Sequence, residues 1–152
     1  MITFEKVQPT DIDCMADVKF RAFEPELKRY GISPAEMCSV EWNAWAMEHG
    51  DYYKILRDGQ IAGGLHLFVF GQDFYNVHEL NSIFVLPECQ NQGIGSRAIR
   101  FIEETYPSAR KWRLETPSLS TGNHHFYEKN GFVKVREVAD GPVTLFVYYW
   151  EY

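Results

Sequence analysis

The chain is short of basic residues: 15 Lys and Arg stand against 21 Asp and Glu in 152 residues, a formal net charge of −6. A general nucleic-acid binder needs a basic face that displaces counterions, so this balance argues against one. It suits a cationic partner such as an amine, and it equally suits plain solubility. The three cysteines, Cys14, Cys38 and Cys89, are scattered and form no CxxC. That leaves neither a disulfide framework nor a thiolate zinc site, and a reducing cytoplasm is expected. No apolar run is long enough to span a bilayer. The opening "MITFEKVQPTD" lacks the basic and apolar regions of a secretory leader. Internal repeats, low-complexity tracts and Pro/Ser-rich linkers are missing too, so residues 1–152 read as a single domain.

What the chain has in excess is aromatics, at 16% of residues. Eleven Phe, nine Tyr and four Trp exceed what so small a core hides, so some should line a cleft. "ITFEKVQ" alternates as a strand. "PTDIDCMADVKFRAF" is a helix opened by Thr10 and Asp13 in a capping-box spacing. A second helix, "SPAEMCSVEWNAWAMEHG", starts with Ser33 as cap, Pro34 in its first turn and Glu36 three after the cap, and ends at Gly50. Asp58-Gly59 joins two β-prone runs as a hairpin, and a turn near Gly71 to Phe74 leads into a third strand of an antiparallel meander, "YNVHELNSIFVL". "GIGSRAIRFIEETYP" is an amphipathic helix with Ile94, Ala98, Phe101 and Ile102 on one face. Then come strand "RKWRLETPS", short helix "GNHHFYEKNG", and a closing hairpin turning at Asp140-Gly141. The predicted order is β-α-α-β-β-β-α-β-α-β-β, an α/β (α+β) mixed sheet.

Between the third meander strand and the helix after it lies "PECQNQGIGSRAI", with two glycines one residue apart. A helix N-terminus carries unpaired N–H groups and partial positive charge. Without side-chain bulk at Gly93 and Gly95, a pyrophosphate can approach the amides from Gln90 to Ser96. The same residues also read as a tight strand-to-helix connection with no ligand. Neither the GxGxxG dinucleotide fingerprint nor the GK[ST] of a P-loop is present.

Val85, Pro87, Gln90, Gly93 and Gly95 together resemble the V-x-P-x-x-Q/R-x-x-G-x-G/A pattern of the GNAT superfamily of acyl-CoA-dependent N-acetyltransferases. "NHHFYEKNGF", Asn123 to Phe132, resembles a second conserved segment of that superfamily, and the element order is similar to its fold across the whole chain. The resemblance implies acetyl-CoA as cosubstrate, with no metal. Its pyrophosphate would lie on the amides of Gln90, Asn91, Gln92, Gly93, Ile94, Gly95 and Ser96. Its pantetheine would pair with the backbone of Ile83, Phe84 and Val85, and Asn123 would reach it from across the cleft. Tyr127 would sit near the thioester sulfur. A catalytic Glu eleven residues before the Q/R position falls on Glu79.

Amide formation from a thioester needs a base, because a lysine-like amine with a pKa of about 10.4 is almost wholly protonated at neutral pH. Glu79 sits mid-strand, where glutamate is disfavoured. Strict alternation puts it on one face with Val77, Asn81, Ile83 and Val85, His78 pointing the other way unless a bulge intervenes. A solvated or ion-paired glutamate is the plainer reading of the same residue. Tyr127 is the candidate acid at sulfur, with packing beside Phe126 and Phe132 as its alternative. Adjacent His124 and His125 diverge on a helix and make no metal site. Cys89 has no catalytic partner nearby in sequence and is read as packing, so transfer is expected to be direct, in a ternary complex. Lys129, Arg97 and Arg100 can draw in an anionic cosubstrate, though Arg100 also suits a helix pair with Glu104. The acceptor, a primary amine on a small molecule or peptide, would lie against the first two helices and the last hairpin. The alternatives are a non-catalytic acyl-CoA sensor and a transferase for another acyl-CoA. Homodimerisation through the aromatic C-terminal strand has no specific signal behind it.

Overall fold

The computed structural model describes residues 1–30, 38–69 and 77–151. Its elements run β1 (Ile2–Lys6), α1 (Ile12–Tyr30), α2 (Val40–Glu48), β2 (Asp51–Arg57), β3 (Gln60–Phe68), β4 (Val77–Val85), α3 (Ile94–Thr105), β5 (Lys111–Pro117), α4 (Thr121–Lys129), β6 (Val133–Asp140) and β7 (Val143–Glu151). This is the order expected from sequence. The expected cap at Ser33 with Pro34 and Glu36, and the turn at Gly71 to Phe74, lie outside the described residues.

The strands form one seven-stranded sheet in the order β1-β2-β3-β4-β5-β7-β6. Every neighbouring pair is antiparallel except β4 and β5. The β2–β3 hairpin turns on Asp58 and Gly59, both at positive φ, the twist a two-residue hairpin demands. Adjacent Tyr52 and Tyr53 of β2 feed two separate cores, as strand alternation requires. One joins Met15 and Val18 of α1 and Ala46 of α2 to Tyr52 and Phe84. The other joins Ile99 and Ile102 of α3 and Tyr127 of α4 to Leu65, Leu67, Leu80, Trp112 and Leu114.

Two local expectations change. The cap ahead of α1 uses Asp11 rather than Asp13: its Oδ2 accepts from the Gln8 N–H at 2.8 Å. The helix also continues through Pro25 to Tyr30, although proline removes a backbone donor from the helix interior. Packing of Phe23 on Phe84, with ring centroids 6.2 Å apart, and a 2.8 Å Glu24–Lys28 pair across the proline support the continuation.

The feature that positions the site is where pairing stops. β4 and β5 are matched only from Val77 to Glu79 and from Lys111 to Arg113. Beyond that, β5 keeps its register with β7 and β4 with β3, so the two halves of the sheet splay apart. β4 also carries a bulge. Ser82 pairs with His66 and Leu80 with Leu67, leaving Asn81 as the extra residue.

Candidate active site

The splay opens into a cleft of about 530 Å³, floored by β4 and walled by α1, the loop into α3, and α4. A proline turn at Pro87–Cys89 hands β4 over to the loop. Asn91 and Gly93 both take left-handed backbone, at φ +61° and +79°. Gly93 caps α3 with no side chain, and the first intrahelical bond runs from the Arg97 N–H to its carbonyl at 3.1 Å. Helix geometry leaves the N–H groups of Ile94, Gly95 and Ser96 without intrahelical acceptors.

The two glycines do different work. A Cβ on Gly93 would meet nothing within 4 Å, so this position is constrained by its φ alone. A Cβ on Gly95 would lie 2.7 Å from the Phe126 ring. Gly95 therefore lets α4 pack close to the start of α3, a role in wall packing where sequence reasoning assigned room for an anion.

The loop is braced from behind. The Gln90 side chain donates to the Val85 carbonyl at 3.0 Å. Arg57 of β2 donates to Gln92 Oε1 at 2.8 Å and to Cys89 Sγ at 3.5 Å, and Arg21 of α1 holds Glu88 at 2.8 Å. Cys89 is buried in the core. Of the expected cofactor residues, the cleft gathers 83–85, Gln90, Asn91, 93–96, Asn123 and Tyr127. The Gln92 side chain is the exception, turned away toward Arg57. Sequence reasoning missed the share of α1, where Phe23, Glu26 and Arg29 join the lining. The expected helix was read only as far as Phe23, whereas α1 runs on to Tyr30. Lys129 reaches the cleft, whereas Arg97 and Arg100 are not among its lining residues.

Tyr127 is buried between Phe126, Phe132 and Tyr148. Burial, with a smaller push from the charge of Glu26, drives its phenol pKa far above the usual value. The group is a neutral hydrogen-bond donor.

Glu79 lies outside the cleft lining. The bulge at Asn81 reverses the expected alternation. Glu79 pairs with Phe68 and shares the face of His66, Ser82 and Phe84, opposite to Ile83, which pairs with Leu65. His78 packs on Trp112, with ring centroids 5.1 Å apart. Across β5, Arg113 Nη1 stands 3.5 Å from Glu79 Oε1, and Nη2 bonds Glu115 at 2.5 Å. Burial raises the Glu79 pKa; Arg113 lowers it and Glu115 raises it. Among the described residues, no group of three or more His, Cys, Asp or Glu side chains converges as a metal site, and no helix is long and apolar enough to cross a membrane.

Residues 17–132 match the acetyltransferase (GNAT) family. The uncharacterized protein YrkN of Bacillus subtilis (strain 168) is 38% identical over 81 residues, which are 53% of this chain and 43% of that protein. The match thus spans less than half the length of that relative. Among solved structures, the PaiA N-acetyltransferase of Thermoplasma acidophilum in complex with coenzyme A superposes with a TM-score of 0.84 at 18% identity, covering 100% of this chain and 99% of that one. The ribosomal-protein-S18-alanine N-acetyltransferase of Escherichia coli superposes with a TM-score of 0.76 at 19% identity, over 99% and 94% of the two chains.

Proposed function

The chain belongs to the acetyltransferase (GNAT) family, and from that premise we propose that it moves an acetyl group from acetyl-CoA to a primary amine by direct transfer. The observation that carries the reading is the end of β4–β5 pairing after three residue pairs, opening onto a helix start with bare, left-handed Gly93. Such a site suits a long thioester with a diphosphate at one end. The helix amides face an anion. Among the described residues, the edge of β4 beyond the splay has no strand partner and can pair an extended chain. Solved relatives of this fold include one in complex with coenzyme A.

Bound acetyl-CoA supplies the activated acyl group. The amides of 94–96 hold the pyrophosphate, and the backbone of 83–85 orients the arm that runs back toward the bulge. From Val85 to Asn81 is about 13 Å of strand, at roughly 3.3 Å per residue. Glu79 lies just past that bulge, on the α1/α2 face, where an acceptor approaches from the side away from α3. It takes the proton of the attacking amine. Its raised pKa makes it a stronger base than an exposed carboxylate. Tyr127 donates a hydrogen bond to the departing sulfur. With so high a pKa it stabilises thiolate without surrendering its proton, a narrower role than that of a general acid.

The test is a free-thiol assay with acetyl-CoA across an amine panel: benzylamine, 1,4-diaminobutane and a tripeptide amide with a free N-terminus. Thermal shift with acetyl-CoA runs alongside. Wild type should be stabilised by acetyl-CoA and should turn over at least one amine, and Glu79→Gln should lose about 10²–10⁴-fold in rate. No stabilisation at saturating acetyl-CoA sinks the whole proposal. Binding without turnover on any amine turns it into an acyl-CoA sensor. A full rate in Glu79→Gln removes the base assignment alone.

A further inference from the structure

His66 is fully buried in β3, ringed by the edges of Trp42, Tyr52 and Phe68 at centroid distances of 5.5, 5.3 and 4.9 Å. Its Nε2 lies 3.1 Å from the Ala46 carbonyl and 3.0 Å from the His49 carbonyl, at the end of α2. Carbonyls only accept, so Nε2 carries the proton. Burial pulls the ring pKa down to about 4, leaving the imidazole neutral and Nδ1 with a free lone pair. Asn81 Nδ2 lies 2.9 Å from that Nδ1 and donates to it. Asn81 is the residue left over by the β4 bulge. Gly50 completes the arrangement: a Cβ there would lie 2.9 Å from His66 Nε2 and 2.5 Å from the Leu67 carbonyl, so only a bare backbone lets the tail of α2 come down on the ring.

We propose that His66 and Asn81 form a positioning latch that ties the end of α2 to the β4 bulge and thereby holds Glu79 on the acceptor face. This rests on the reading of Glu79 as the proton acceptor. Asn81, the extra residue, has its side chain hydrogen-bonded to His66 of β3. Without that bond the extra residue is free to relax, and a one-residue slip would carry Glu79 to the face of α3 and α4. Both side chains are engaged with each other and with the end of α2, so they act through the position of Glu79 and not on the reacting atoms. The effect is therefore expected in kcat and not in acetyl-CoA affinity.

Asn81 is only partly buried, unlike His66, so Asn81→Ala is the variant to use, with His66→Gln as a second that retains a donor for the carbonyls. With acetyl-CoA and the fastest amine of the panel, Asn81→Ala should lower kcat at least tenfold and leave the acetyl-CoA KM within about twofold. Amide exchange at Leu80 and Ser82 should accelerate at least tenfold, with the β6–β7 hairpin unchanged. In a Glu79→Gln background, Asn81→Ala should cost nothing further in kcat, because the latch acts through that carboxylate. An equal loss in both backgrounds overturns the proposal, as does unchanged exchange at Leu80 and Ser82. If Glu79→Gln itself keeps full rate, the base reading falls, and a kcat loss in Asn81→Ala can then no longer be assigned to the latch, which overturns its catalytic purpose as well.

Discussion

Replacing Lys19 with methionine should raise stability at neutral pH and flatten its rise toward alkaline pH. Lys19 projects from α1 into the core and is 0% exposed. Among the described residues its Nζ has no hydrogen-bond partner, and it lies 3.5 Å above the Trp42 ring centroid and 5.4 Å from that of Phe84. Burial lowers its pKa from 10.5 to about 7. Between those two values the unfolded chain holds a proton that the folded chain has released, so unfolding takes up protons and stability climbs as pH rises. The slope approaches roughly 1.4 kcal/mol per pH unit and vanishes below the folded pKa, where both states are protonated. Integrated from pH 7 to 9, the gain is about 2 kcal/mol. Methionine keeps the length of the stem and carries no charge to desolvate. Urea unfolding followed by circular dichroism at half-unit steps from pH 6.5 to 9.5 compares the two proteins directly, and titrations common to both cancel in the difference. Curves that run parallel would show that the buried amine is not the titrating group, and the reasoning would fail.

Gly95→Ala should cost about 1–3 kcal/mol of stability through its clash with Phe126 and weaken acetyl-CoA binding measured by calorimetry. Gly93→Ala meets open space, so it should cost only about 1–2 kcal/mol of left-handed strain. The Gly95→Ala loss should shrink in a Phe126→Ala background and the Gly93→Ala loss should not; the same response at both would contradict the division of roles between the two glycines. Tyr127→Phe should keep acetyl-CoA affinity within a few-fold while lowering kcat by about 10²-fold in the thiol assay. A rate equal to wild type would leave Tyr127 a packing residue.

Much of the fold was legible because its signals are local. Asp58-Gly59 turns its hairpin as expected from its backbone requirements, whereas the last hairpin turns one residue later than expected, on Gly141 and Pro142, with Asp140 still paired to Val143. The helical period of α3 survives because that helix buries one face, with Ile94, Ala98, Ile99 and Ile102 in the core. The loop of the candidate site was equally readable, since a left-handed Gly93 ahead of an amphipathic helix is a short-range statement. The continuation of α1 past Phe23 was not read from the sequence; it runs through Pro25 with Phe23 packed on the distant Phe84 and Glu24 paired locally with Lys28. The direction of the Glu79 side chain was misplaced. Strict alternation cannot register an inserted residue, and nothing local in "VHELNSIFV" marks Asn81 as the bulge.

The order of elements, the turn between β2 and β3, and the glycine-led start of α3 followed from the chain alone, because each depends on dihedral preferences and periodicities confined to a few consecutive residues. The splay of β4 from β5, the face that Glu79 presents, the share of α1 in the cleft and the bond between His66 and Asn81 were decided only in three dimensions. Each arises from residues far apart in sequence, whose mutual register is settled by packing two cores on one sheet.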